Sequence, residues 1–270
     1  MLKTRLLTAF LLIPLFLLFL FYLPPPSFFC FTGLITLLCA FEWSSLMGIQ
    51  SISYRFFYLV AMIFLMILIL FIPIKFILLI ALIWWVFATL LILLYPIGRT
   101  GWGKGCMIRG FFGVLVLIPS FAAINFIRNQ PDGTYTLLFL FILIWVADSS
   151  AYFVGKKWGT SQLLPHVSPK KSWQGLGGAL LFSMVITLIV LWIYSVPIEK
   201  WSFILLFSFV TVLFSVVGDL FESMLKRQVD LKDVSQLLPG HGGILDRLDS
   251  LMAAAPVFAF SEIIFSHYFR

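Results

Sequence analysis

The chain has 270 residues, of which 62% are hydrophobic and 11% charged, against roughly 45–50% and about 25% in a soluble globular domain. With a mean hydropathy of +1.10, this composition excludes a water-soluble globule and indicates a polytopic membrane protein; strand alternation is absent, so the expected class is an all-α helix bundle rather than a β-barrel. The net charge of +7 is read as cytoplasmic anchoring of a membrane protein, not as a nucleic-acid footprint.

A helix needs about 20 apolar residues to cross the hydrocarbon core, and nine such stretches follow in order. The first, roughly 6–23, lies within "MLKTRLLTAFLLIPLFLLFLFYLPPPS". Its basic start resembles a signal peptide, but "LPPPS" follows where a small-x-small cleavage site would stand, so an uncleaved span is expected. The second, roughly 28–48, carries Glu42. The third and fourth cover roughly 56–72 and 76–97. "GRTGWGKG" (98–105) then imitates a phosphate-binding loop, but Gly105 stands where Ser or Thr is needed and no strand precedes it, so Lys104 is read as part of a turn. The fifth stretch, roughly 110–127, has the softest pattern because it contains Pro119, Ser120 and Asn125.

The sixth stretch, roughly 135–155, has Asp148 near its end. "SPKKSWQGLGG" (168–178) leads into the seventh, roughly 175–196. Ser168 as N-cap with Pro169 at the first helical position predicts a helix start there. Lys170 and Lys171 then fall in the first turn, where the helix dipole favours an anion. The eighth stretch, roughly 201–222, runs into "GDLFESMLKR". Asp219, Glu222, Ser223 and Lys226 are spaced to share one helical face. "LPGHGG" (238–243) follows, with three glycines around His241. Asp246 and Asp249 open the ninth stretch, roughly 250–269, where a helix N-terminus favours acids by about 0.3–1 kcal/mol. Cys30, Cys39 and Cys106 form no metal-binding spacing and read as packing residues.

Nine spans sort the basic residues to two sides. The N-terminus and the even-numbered loops hold 14, including Arg55, Arg109, Lys171 and Lys226; the other side holds Lys75, Arg128, Lys200 and Arg270. The bias places the N-terminus and the polar clusters in the cytoplasm. Glu42, Asp148, Asp219 and Glu222 then all lie toward cytoplasmic helix ends. An acid at mid-bilayer costs roughly 2.5–3.5 kcal/mol, so acids gathered near one interface need a function or partners. Hard carboxylate oxygens hold Mg²⁺, and cations with backbone amides hold phosphate. Two function classes survive: a membrane enzyme transferring phosphoryl or nucleotidyl groups, and an ion-coupled transporter. The transporter expects acids at the midplane on broken, repeated helices, which favours the enzyme.

The stretch "SMLKRQVDLKDVSQLLPGHGGILDRLD" (223–249) resembles the signature of the phosphatidate cytidylyltransferases, over 27 residues. "ADSSAYFVGKKWG" (147–159) and "SPKKSWQG" (168–175) are similar to the family's second region, with Ser150 and Ser172 standing where Gly and Thr are common. The resemblance is specific over the C-terminal half, so residues 1–134 are expected to be scaffold and 135–270 to carry the site, within a single membrane domain.

It implies transfer of the cytidylyl group of CTP to phosphatidic acid, with Mg²⁺, room for a second cation, and a homodimer in the membrane, the inner one if the source is bacterial. The implied metal ligands are Asp219, Asp246 and Asp249. Lys226, Arg227 and Arg247 would bind phosphates, and His241, Gly242 and Gly243 would line the triphosphate or the leaving pyrophosphate. Asp148, Ser168, Lys170, Lys171 and Ser223 would complete the substrate wall. The alternative is another membrane nucleotidyl- or phosphotransferase acting on a lipid phosphate. The D-G-x2-A-R pattern of the CDP-alcohol phosphotransferases is missing.

Overall fold

The computed structural model describes residues 13–95, 105–237 and 242–264. Among them are nine α-helices of ten or more residues, one for each expected stretch: α1 (Ile13–Tyr22), α2 (Pro25–Leu46), α3 (Ile52–Leu68), α4 (Ile74–Leu93), α5 (Cys106–Arg128), α6 (Gly133–Trp158), α7 (Trp173–Ile193), α8 (Trp201–Gln228) and α9 (Leu245–Ile264). Seven, α2 to α8, are long and apolar enough to cross a membrane. The described part of α1 is shorter than that, and α9 opens with Asp246, Arg247 and Asp249 and falls outside the seven.

Proline sets several boundaries. Pro25 begins α2 directly after Pro24, and Pro73 caps α4, the places where a missing N–H costs nothing. Pro119 does not break α5, which runs unbroken from Cys106 to Arg128 and is the most enclosed of the seven. The soft pattern of this stretch reflects its central place. Ser120 and Asn125 are buried against neighbouring helices, and Asn125 donates to Thr32 Oγ1 at 3.0 Å and to the Phe121 carbonyl at 2.9 Å.

Lipid is as apolar as a core side chain, so close packing rather than water exclusion holds such a bundle together. Small residues permit that approach. A Cβ on Gly178 of α7 would lie 2.6 Å from Val154 of α6, and one on Gly218 of α8 would lie 2.4 Å from the Asp249 carbonyl of α9. Aromatic rings fill the space between α4, α5 and α8. Phe221 sits 5.5 Å from Trp84, 5.8 Å from Trp85 and 5.9 Å from Phe112, measured between ring centroids. Pairs of this kind add about 0.5–1.5 kcal/mol beyond burial, and they fix α8 one residue before Glu222.

One expectation is corrected. Ser168 does not cap a helix. Residues Ser168–Ser172 form a strand, paired antiparallel with Gln162–Leu164 in a small hairpin. Helix α7 starts at Trp173, and Ser172 is its cap, accepting the Gly175 N–H at 3.1 Å. Gln174 ties the hairpin to the helix, donating to Thr160 Oγ1 at 2.7 Å and accepting the Thr160 N–H at 3.2 Å. Pairing of Ser172 with Gln162 and of Ser168 with Leu164 holds 168–172 extended, and Pro169 is tolerated because a two-stranded ladder is all edge. Lys170 and Lys171 therefore lie on a strand before the helix, and no helix dipole behind them calls for an anion.

Candidate active site at one end of the bundle

The C-terminal ends of α2, α6 and α8, the N-terminal ends of α7 and α9, and the hairpin meet at one end of the bundle. Side-chain contacts between them define the site. The hairpin reaches α8 through Lys171, whose Nζ lies 2.6 Å from Asp219 Oδ2, and through Arg227, whose Nε donates to the Val167 carbonyl at 3.4 Å. Ser223, one turn beyond Asp219, donates to Asp219 Oδ1 at 3.3 Å. Both oxygens of Asp219 thus have a partner, while the pair stays partly open, with side chains 25% and 30% exposed.

Lys226 links α8 to α9. Its Nζ donates to Asp246 Oδ1 at 2.8 Å and to Glu222 Oε2 at 3.3 Å. Asp246 Oδ2 accepts the N–H groups of Gly243 at 2.8 Å and Val234 at 3.1 Å. Asp246 is therefore a hub: it holds the start of α9 to the segment after α8 and carries the charge that balances a largely enclosed lysine. Asp249 lies within electrostatic reach of Asp148, Asp219 and Glu222, and Asp148 within reach of Asp219. The close crossing at Gly218 brings Asp219 and Asp249 together.

Beside this cluster lies a cavity of about 1010 Å³. Its polar wall comprises Asp148, Ser168, Lys170, Lys171, Asp219, Asp246, Arg247 and Asp249. Its apolar wall is built by α1, α2, α5 and α6, with Phe16, Phe19, Phe28, Phe31, Phe121, Phe141 and Trp145. One chamber therefore offers a charged end and a greasy end, the two halves of an amphiphile.

Ten of the expected site residues meet here by direct bonds or as cavity lining: Asp148, Ser168, Lys170, Lys171, Asp219, Ser223, Lys226, Asp246, Arg247 and Asp249. Arg227 touches the hairpin turn. Gly242 and Gly243 press against the carboxylates of Asp246 and Glu42, respectively. His241 lies outside the described residues, as do Lys104 and most of the imitation phosphate loop.

Comparison with known proteins decides the family. Residues 3–265 match the cytidylyltransferase family. The chain belongs to the cytidylyltransferase family. It is 41% identical over 261 residues to a phosphatidate cytidylyltransferase of Pseudomonas aeruginosa, covering 96% of both chains. It is 36% identical over 282 residues to one of Haemophilus influenzae, covering 96% of this chain and 98% of that one. A Bacillus subtilis relative of the same name matches at 40% over 144 residues, 52% of this chain. A cytidylyltransferase has two polyanions to bring together, and the wall of lysines and arginine against carboxylates suits that task.

Sequence reasoning gave no role to Glu42, Ser235 or Ser250, although all three hold parts of this site. Glu42 was visible as an acid in a greasy span. Its partners stand about 200 positions away, which no spacing rule reaches.

Proposed function

We propose that this cytidylyltransferase moves the cytidylyl group of CTP to phosphatidic acid, giving CDP-diacylglycerol and pyrophosphate. A phosphate oxygen of the lipid attacks the α-phosphorus of CTP, and the bond from that phosphorus to the bridging oxygen of pyrophosphate breaks. The lipid phosphate is already ionised near neutral pH, so no strong base is required. The difficulty is repulsion between two anions, which positioned positive charge relieves. The observation that carries the reading is one cavity with a charged wall, where three cations stand among four carboxylates, and an aromatic wall: phosphates with a cation fit the first, acyl chains the second.

Lys170, Lys171 and Arg247 are the cations proposed to receive phosphates. Arg227, on the hairpin side, is proposed to support them. Lys226, with its two carboxylate partners, is assigned to holding α8 and α9 in register as well as to the local field. Ser168 supplies a hydroxyl to the same wall, and Ser223 supports it by donating to Asp219. His241, Gly242 and Gly243 remain the proposed lining for the triphosphate.

Among the described residues no three carboxylates, imidazoles or thiols converge into a ready-made metal site. Mg²⁺ does not require one: it is commonly held by one or two carboxylates plus substrate phosphates. The donor set fits that mode. Asp219 and Asp249 are the proposed ligands, with Asp148 adjacent, and Asp246 joins them if Lys226 turns to a phosphate. Bound there with CTP, Mg²⁺ would neutralise phosphate charge; a second cation, if the reaction uses one, is proposed for the same acidic cluster.

The bias of basic residues supports a cytoplasmic position for this end of the bundle, and in a bacterial cell the inner membrane. A homodimer is carried from the family resemblance alone. The direct test is purified protein in detergent with phosphatidic acid, CTP and Mg²⁺, followed by mass spectrometry of the lipids. CDP-diacylglycerol appearing with pyrophosphate is the expected result. Consumption of CTP with a different lipid phosphate, and none with phosphatidic acid, would favour the alternative lipid transferase.

A further inference from the structure

A hydroxyl within a helix commonly donates to a carbonyl of its own helix, one turn back. Several in this bundle do so: Thr32 donates to the Phe28 carbonyl at 3.0 Å, Thr36 to Thr32 at 2.9 Å and Ser261 to Val257 at 2.9 Å. Ser120 of α5 does not. It is 4% exposed, it lines the cavity, and its hydroxyl has no hydrogen-bond partner among the described residues. Ser208 and Thr211 of α8 also lack a partner, but they lie off the cavity. An enclosed donor left unmade is costly, and at Ser120 the cavity is where an acceptor can be supplied.

The place of Ser120 along α5 indicates which acceptor. Helix α5 starts at the charged end of the bundle, where Arg109 donates to the carbonyl of Leu46 at the end of α2. Val116 borders the same small void as Asp249. Ser120 stands one turn further from the charged end, about 6 Å along the axis, beside Leu117, Phe121 and Ile124 of the apolar wall. A lipid phosphate seated at the charged wall brings its glycerol link to this level, with the ester groups that follow it. Below its phosphate a diacyl lipid carries those ester oxygens and no other acceptor. We propose that Ser120 is a specificity-determining residue for the lipid substrate: its hydroxyl donates to an ester carbonyl, so that ester-linked lipid phosphates are preferred to ether-linked ones. The inference rests on the reading that the cavity receives a lipid phosphate. An ether link has no carbonyl to offer and leaves the donor unmade, which is how a site built to bond a substrate group rejects the analogue that lacks it.

The test uses the full-length protein in detergent with two lipids, dioleoyl phosphatidic acid and its dioleyl ether counterpart. The readouts are equilibrium binding of each lipid and its CTP-dependent turnover with Mg²⁺. Wild-type protein should favour the ester lipid by about fivefold in affinity and in kcat/KM, as one hydrogen bond implies. Ser120→Ala should weaken the ester lipid by about that factor and leave the ether lipid unchanged, so that the preference disappears. Thr36→Val is the control: the Thr36 hydroxyl is already given to the Thr32 carbonyl, and its loss should keep the preference. Equal handling of the two lipids by wild-type protein overturns the proposal without requiring any variant to fold. A preference that survives Ser120→Ala overturns it too, as does an equal loss on both lipids, the mark of a packing role. If wild-type protein prefers the ester lipid in binding, Ser120→Ala abolishes that preference and no cytidylyl group is transferred, the reaction is refuted and this inference stands. Wild-type protein that binds neither lipid would refute both.

Discussion

At the scale of single residues, the site is a set of carboxylates each given a specific cation or amide. Asp246 shows how much one of them holds. It accepts from Lys226, Gly243 and Val234, and its side chain is 6% exposed. Removing one member of an enclosed ion pair leaves an unbalanced charge, which costs on the order of 3 kcal/mol. Asp246→Ala is therefore expected to lower stability by about that amount and to abolish turnover, read by thermal melting and by lipid product. Lys171→Ala, at a more open pair, should leave the melting temperature nearly unchanged and still suppress turnover. A normal rate for that variant would remove Lys171 from the site. Most of these residues were legible in the sequence because charge is scarce in a greasy chain, so each charged motif stands out. Their pairing was less so. Spacing put Asp219 and Lys226 on one face of α8, but only the fold gives Lys171 to Asp219 and Asp246 to Lys226.

At the scale of elements, the helices were legible and their junctions were not. Nine apolar stretches correspond to nine described helices because hydropathy reports what lipid and core demand over some twenty residues. The hairpin was not legible. Its residues, "SPKKS", carry good helix-start chemistry, and only pairing with Gln162–Leu164 overrides it. The crossing of α8 and α9 is similar: "VVGDLFES" gives no hint that Gly218 faces the Asp249 carbonyl. A side chain there must push the helices apart, since a Cβ would stand 2.4 Å from that oxygen. Gly218→Val should therefore separate Asp219 from Asp249, lower the melting temperature and reduce turnover more than tenfold, because small displacements of a catalytic group cost about two orders of magnitude. Gly177, where nothing lies within 4 Å of an added Cβ, is the control; Gly177→Ala should change neither quantity.

At the scale of the molecule, the fold gathers residues from both halves of the chain at one end of a helix bundle. The cavity beside them runs from charged to aromatic walls. An enzyme joining a lipid phosphate to a soluble nucleotide needs that geometry, because one substrate stays in the bilayer and the other arrives from water. The basic-residue bias predicts which face is wetted by the cytosol: cysteines placed at Lys156 and Gln236 should both react with an impermeant thiol reagent from the cytoplasmic side and from no other. Reaction from opposite sides would refute the shared face. Whether the acids and cations at this end carry the cytidylyl transfer is decided by CTP-dependent conversion of phosphatidic acid by Asp219→Asn protein, measured per folded molecule beside the wild type. Conversion by the wild type and none by Asp219→Asn is the expected result. Conversion by the variant at close to the wild-type rate would contradict it.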